Sequence, residues 1–157
     1  MRSVFSVRSG RIVVELSVMD RGVLAGIPDL LASVGDAAGD EMSDPAFDVL
    51  HRAAYTDDPD ASLAFDRLVS GERAVARRVD GRVVEDVAAG AQELTRNEAL
   101  ALVRVLNEAR LVLAARAGAF DEGPSWEHRI ATDPALAAVA WLSHVQDMLV
   151  RAIRNLR

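Results

Sequence analysis

The carboxyl-terminal stretch carries a strict four-three alternation of apolar residues, Ala138, Leu142, Val145, Leu149, Ala152 and Leu156, widened by Trp141 and Met148. Such a period places them on one face of an α-helix, and that face must be buried against another element. An earlier stretch is more constraining still. There Leu102, Leu106, Ala109 and Leu113 make one stripe, while Leu100, Val103, Val105, Leu111 and Val112 leave only the line through Asn97, Arg104 and Glu108 polar. A helix apolar almost all round belongs at the centre of a bundle. Thr95 and Glu98 form a capping box at its start, and Gly118 ends it after Ala117. Asp133-Pro134 opens the last helix. The two helices are expected to pack as antiparallel neighbours across their short connection.

The rest of the chain fits round this pair. Val4-Phe5-Ser6-Val7 and Arg11-Ile12-Val13-Val14-Glu15-Leu16 are β-branched runs separated by Arg8-Ser9-Gly10, which predicts a hairpin. Ser17 caps a helix through Val18, Val23, Leu24, Ile27, Leu30, Leu31 and Val34, with a kink or restart at Pro28. Residues 35–43 read as a loop, and Asp44-Pro45 starts a short helix to about Ala53. Asp58-Pro59 starts another through Ala61, Leu63, Ala64, Phe65 and Leu68. A break is expected at Ser70-Gly71, and a separate helix from Glu72 to about Ala89. The fold class is mainly α: a helical bundle with a short amino-terminal β-hairpin, hairpin about 3–16 and helices about 18–156, in one domain.

Composition removes many functions. With no cysteine, thiolate zinc sites, disulfides and thiol catalysis are excluded, and with all 18 basic residues Arg, lysine chemistry is excluded too. No apolar run reaches membrane-spanning length, and the start MRSVFSVRSG has no signal-peptide core, so a cytoplasmic protein with no membrane contact is expected. Net charge is −6 and is uneven, residues 1–66 holding 5 Arg against 12 carboxylates. An acidic half repels a phosphate backbone, which argues against direct nucleic-acid binding.

His51, His128 and His144 stand in no metal-binding spacing, no serine lies in a nucleophile elbow, and no phosphate-binding glycine motif occurs. The reading is of a protein that is not an enzyme, with no cofactor and no metal. Asp57, Asp58 and Asp60 lack the glycine and late glutamate of a calcium loop and read as a helix cap. Arg73, Arg77, Arg78 and Arg82 form the densest basic segment, but on a helix Arg73 and Arg77 lie nearly opposite Arg78 and Arg82. They read as a solvated helix or a partner surface. Asn107 and Arg110 point away from the polar line of their helix. That is the pattern of a buried clamp on a carboxylate at Asp57, Asp58 or Asp66, or else of an anion pocket shared with Arg116. Trp126 and Trp141 are the aromatic anchors a partner would use.

Three blocks, taken together, resemble an actinobacterial family known as domain of unknown function 2017 and also as the oxidative-stress transcriptional regulator AosR family. The first runs Ala54-Tyr55-Thr56-Asp57-Asp58-Pro59-Asp60-Ala61-Ser62 with Phe65-Asp66-Arg67-Leu68. The second is Leu106-Asn107-Glu108-Ala109-Arg110-Leu111-Val112-Leu113 with Arg116, and the third Trp141-Leu142, Val145-Gln146 and Leu149-Val150. The resemblance spans nearly the whole chain, and its blocks are mostly structural in character. It implies a role in redox-responsive transcription through a sigma factor. The missing cysteine forbids a thiol switch here, leaving the partner or methionine oxidation to sense a redox signal. The function expected is therefore a non-enzymatic regulator acting through protein–protein contact, with a sigma factor or a second copy as partner. The alternative is a small-molecule or anion sensor built round Asn107, Arg110 and Arg116.

Overall fold

The structure, a computed structural model, describes residues 3–34, 44–51, 54–121 and 123–156. Strands β1 (Phe5–Arg8) and β2 (Arg11–Val14) pair antiparallel, Phe5 opposite Val14 and Arg8 opposite Arg11. The turn between them is two residues long, with Ser9 at φ 50° and Gly10 at φ 74°. Two consecutive positive φ values match the twist of the flanking strands, and only glycine adopts one without steric cost. A third strand, β3 (Glu93–Leu94), was not expected; it lies antiparallel beside β2 and places Leu94 opposite Ile12.

Helix α1 (Val18–Ala25) begins with a full capping box between Ser17 and Asp20. Helix α2 (Ile27–Ala32) restarts at Gly26 with Pro28 in its first turn, where a missing amide costs nothing, so the expected restart occurs. Helix α3 (Pro45–Leu50) is capped by Asp44 and stops at His51, shorter than expected; the predicted loop 35–43 and residues 52–53 lie outside the described residues.

Helix α4 (Pro59–Ala89) corrects the sequence reading. It is one continuous helix of 31 residues that passes through Gly71 and Gly81 without a break. Glycine inside a helix costs about 1 kcal/mol relative to alanine, and unlike proline it keeps its backbone donor, so one glycine does not end a helix that is formed on both sides. Helix α5 (Arg96–Arg116) starts at the Thr95–Glu98 capping box and gives way to Gly118 at φ 71°. A 3-10 segment (Gly123–Arg129) leads to α6 (Pro134–Asn155), capped by Asp133.

The α5–α6 contact is the most extensive between elements, as the paired apolar stripes required, and α5 also touches α2, α3 and α4. Leu102, Leu106, Leu142 and Leu149 are at most 1% exposed. Each such side chain contributes about 1.5–3 kcal/mol of transfer free energy. Phe5, Ile12, Val14 and Leu94 carry the sheet's buried face into the same core as α1, α4, α5 and α6. Among the described residues no helix is long and apolar enough to cross a membrane.

Candidate functional site

At a rise of about 1.5 Å per residue, α4 is about 46 Å long, and only part of it is buried. Asp80, Val84 and Val87 sit at i, i+4 and i+7 on the face that meets the bundle. Residues 71–79, just before that face, are all exposed. Turning about 100° per residue, Ala61, Ala64, Leu68, Val75 and Val79 fall on one face within about 60°, on the side away from Val84. Leu68 is 79% exposed, Val75 53% and Val79 56%. An apolar stripe thus runs along an exposed face of the helix that no other described element covers.

The start of this arm is locally fixed. Asp58 accepts from the Ala61 amide at 2.9 Å, and the Ser62 hydroxyl donates to the Tyr55 carbonyl at 2.7 Å while accepting from its amide at 2.8 Å. The Tyr55 ring meets Phe65 edge-on at 6.2 Å, and the Arg73 guanidinium covers Phe65 at 5.7 Å while bonding Asp66 at 3.3 Å. Asp57 accepts from the Thr56 hydroxyl at 3.4 Å. Asp57, Asp58 and Asp66, the expected clamp partners of Arg110, are therefore occupied on the arm itself.

The clamp between helices is a different pair. Arg104 meets the Asp80 carboxylate bidentately, Nε to Oδ2 and Nη2 to Oδ1 both at 2.7 Å. Asp80 has a side chain 11% exposed against 59% for Arg104. The hydrogen bonds to Asp80 raise the Arg104 pKa above its ordinary value, against an opposing effect of burial. Arg77 adds a second tie from α4 to α5 through Glu108 at 3.4 Å. Beside these pairs lies a cleft of about 640 Å³, with apolar walls from Leu31, Leu50, Val84 and Val105 and with a polar edge of mixed charge, Arg77, Arg78, Arg82 and Arg104 beside Asp80, Glu85 and Glu108. Among the described residues, exposed Arg78 and Arg82 make no hydrogen bond or ion pair.

The predicted grouping of Asn107, Arg110 and Arg116 comes apart. Arg110 is half-buried and donates to Asn107 Oδ1 at 2.9 Å, a bond within one helix turn, so the expected carboxylate clamp is absent among the described residues. Arg116 instead joins three elements. It bonds Asp44 at 2.6 Å, at the start of α3, and the Ser33 hydroxyl at 3.0 Å, at the end of α2. The hydrogen bond from Arg116 holds the Asp44 carboxyl below its ordinary pKa, helped by the Ala46 amide.

The two tryptophans are also taken up by the fold. Trp126 is half-buried against the cluster of Ala114, Ala119, Leu136 and Val139. Trp141 packs on the main core and donates from Nε1 to Asp20 at 3.2 Å, tying α6 to the start of α1. Burial pushes the Asp20 carboxyl up, but the bonds from Ser17 and Trp141 outweigh it and leave its pKa lowered. The most exposed large hydrophobic side chains are instead Val18 and Met19 of α1, 89% and 84% exposed, and Leu68 of α4.

No curated protein and no solved structure matches the chain. A family model described as Domain of unknown function (DUF2017) matches residues 1–153.

Proposed function

The chain belongs to the DUF2017 family, and on that premise we propose that it is a cytoplasmic, non-enzymatic regulatory protein that acts through protein–protein contact, with the arm of α4 as its contact surface. One observation carries this reading: Leu68, Val75 and Val79 stand exposed on a single face of an otherwise ordered helix. Contiguous apolar surface of this kind is characteristic of interaction sites. The acidic balance of residues 1–66 opposes a nucleic-acid partner. The likeness to transcriptional regulators, drawn from the sequence, puts the expected partner in stress-responsive transcription, a sigma factor above all.

The test is a comparative capture from the native cell with the wild-type protein and a Leu68→Asp, Val75→Asp variant. Partners held by the wild type should be absent from the variant. An identical set of partners on both would remove α4 from the interaction.

The alternative of an anion sensor moves from Asn107, Arg110 and Arg116 to the cleft beside Arg104, because Arg78 and Arg82 reach it with no ion pair among the described residues. Calorimetric titration with inorganic phosphate checks it: saturable heat that disappears in Arg78→Ala, Arg82→Ala supports this reading, and no saturable heat in the wild type refutes it.

A further inference from the structure

We infer that the cleft between α2, α3, α4 and α5 binds a small amphipathic carboxylate, with its apolar body on Leu31, Leu50, Val84 and Val105 and its head held by Arg78 and Arg82. The inference rests on the anion reading of this cleft and names the ligand's chemistry; it is independent of the contact surface on α4.

The sign of the ligand follows from which charges at the edge are already matched. Arg104 is held by Asp80 at 2.7 Å and Arg77 by Glu108 at 3.4 Å, so these four groups neutralise one another. Arg78, Arg82 and Glu85 remain, with no hydrogen bond or ion pair among the described residues, which leaves two cations against one anion. Arg78 and Arg82 stand one turn apart, about 6 Å along the helix, so their guanidinium groups can converge on one carboxylate. Glu85 lies on the same flank of α4 and opposes an anion, so it weakens the site rather than building it.

The apolar body follows from the walls. A bare anion would touch only the arginine rim and leave Leu31, Leu50, Val84 and Val105 against water. Going outward from the bundle, α4 presents Val84, then Gly81 about 60° round the helix, then Arg78 and Arg82 a further 60–100° on. Gly81 is the join between apolar wall and charged rim. Glycine inside a helix is destabilising relative to alanine, and Gly81 has no positive φ that would demand it. It is half-buried, yet an added Cβ would meet nothing within 4 Å. The space a side chain would take is therefore open, and it runs from the wall to the arginines. A volume of about 640 Å³ lies within the roughly 300–1,000 Å³ of small-molecule sites.

Calorimetric titration at pH 7 with butyrate, hexanoate and octanoate tests this. Octanoate should saturate the wild-type protein, and affinity should rise along the series by up to about fourfold for each methylene buried. Octylammonium, with the same tail and the opposite head, should bind at least about tenfold more weakly than octanoate. Arg78→Ala combined with Arg82→Ala should lower octanoate affinity at least about tenfold with an unchanged circular dichroism spectrum, and Glu85→Gln should raise it. Gly81→Leu should lift the unfolding midpoint by about 2–4 °C, because it removes a glycine from a helix, while abolishing octanoate binding. A gain in stability with a loss of ligand separates a filled site from a damaged fold. Octanoate binding unchanged in Gly81→Leu, or octylammonium binding as tight as octanoate, overturns the amphipathic carboxylate. If phosphate gives saturable heat that depends on Arg78 and Arg82, yet octanoate binds no more tightly than butyrate, the carboxylate ligand fails and the anion reading survives. If neither phosphate nor any carboxylate gives saturable heat, both fail.

Discussion

Cutting the Arg104–Asp80 pair from its two sides should give unequal losses. At an effective dielectric near 20 the attraction between two unit charges about 4 Å apart is about 4 kcal/mol, and desolvation offsets most of it. The offset is asymmetric here. The Arg104 side chain is 59% exposed, so Asp80→Ala returns its head to water and should cost only about 1 kcal/mol. The Asp80 side chain is 11% exposed, so Arg104→Ala strands a carboxylate among Val84 and Val105. Breaking a fully buried pair costs about 3–5 kcal/mol, and access to the adjoining cleft lowers this to about 2–3 kcal/mol. For a chain of this length one kcal/mol shifts the unfolding midpoint by about 2–4 °C. Calorimetry at pH 7 should therefore show a fall of about 5–10 °C for Arg104→Ala and about 2–4 °C for Asp80→Ala. An Asp80→Ala loss equal to or larger than that of Arg104→Ala would refute the assignment of Asp80 as the buried member.

Leu106→Ala and Leu142→Ala should each cost about 2–5 kcal/mol in urea unfolding, since both side chains are at most 1% exposed in the α5–α6 contact; a loss under about half a kcal/mol would place them outside the core. Arg116→Ala should reduce hydrogen-exchange protection of the α3 amides before it changes the global midpoint, because it removes the bonds to Asp44 and Ser33. Asp44 and Glu98 titrate below their ordinary values of 3.8 and 4.5, Asp44 through Arg116 and Glu98 through the Thr95 amide and hydroxyl. Because the folded values are the lower ones, the stability these groups add is complete above pH 3.8 and 4.5 and is lost as pH falls through the folded values. The unfolding midpoint should hold from pH 7 to about 5 and fall below about 4.5, and a midpoint flat to pH 2 would contradict this.

Signals that are local in sequence were legible. The caps at Ser17, Asp44, Asp58, Thr95 and Asp133 all form, because a side chain two or three residues from the amide it satisfies needs no knowledge of the rest of the fold. The α5–α6 packing was legible from its period. Strand β3 was not, since two residues show no alternation and Glu93–Leu94 become a strand only because β2 offers them an edge. The Arg104–Asp80 pair spans 24 residues of sequence. Arg104 reads as a solvated polar position, true of its head, while Asp80 reads as a carboxylate interleaved with the arginines of an exposed helix, although it stands in the stripe that continues to Val84 and Val87. Arg110 failed as a clamp because its bond goes to Asn107 one turn away, and both tryptophans are half-buried, Trp141 with its indole N–H on Asp20. An unpartnered face on α4 has no signature of its own: Leu68, Val75 and Val79 have the same chemistry whether covered or bare.

Pairing of β2 with β3 joins residues 12 and 94, which has a consequence for synthesis on the ribosome. The hairpin emerges first, yet the edge it needs is made some 80 residues later, and the face of β1 waits longer still, for α6. At 5–20 residues per second the first delay is about 4–16 s, far longer than the microseconds in which a hairpin forms. Phe5, Ile12 and Val14 therefore stay uncovered through most of translation, and this interval is when a nascent-chain chaperone would engage them.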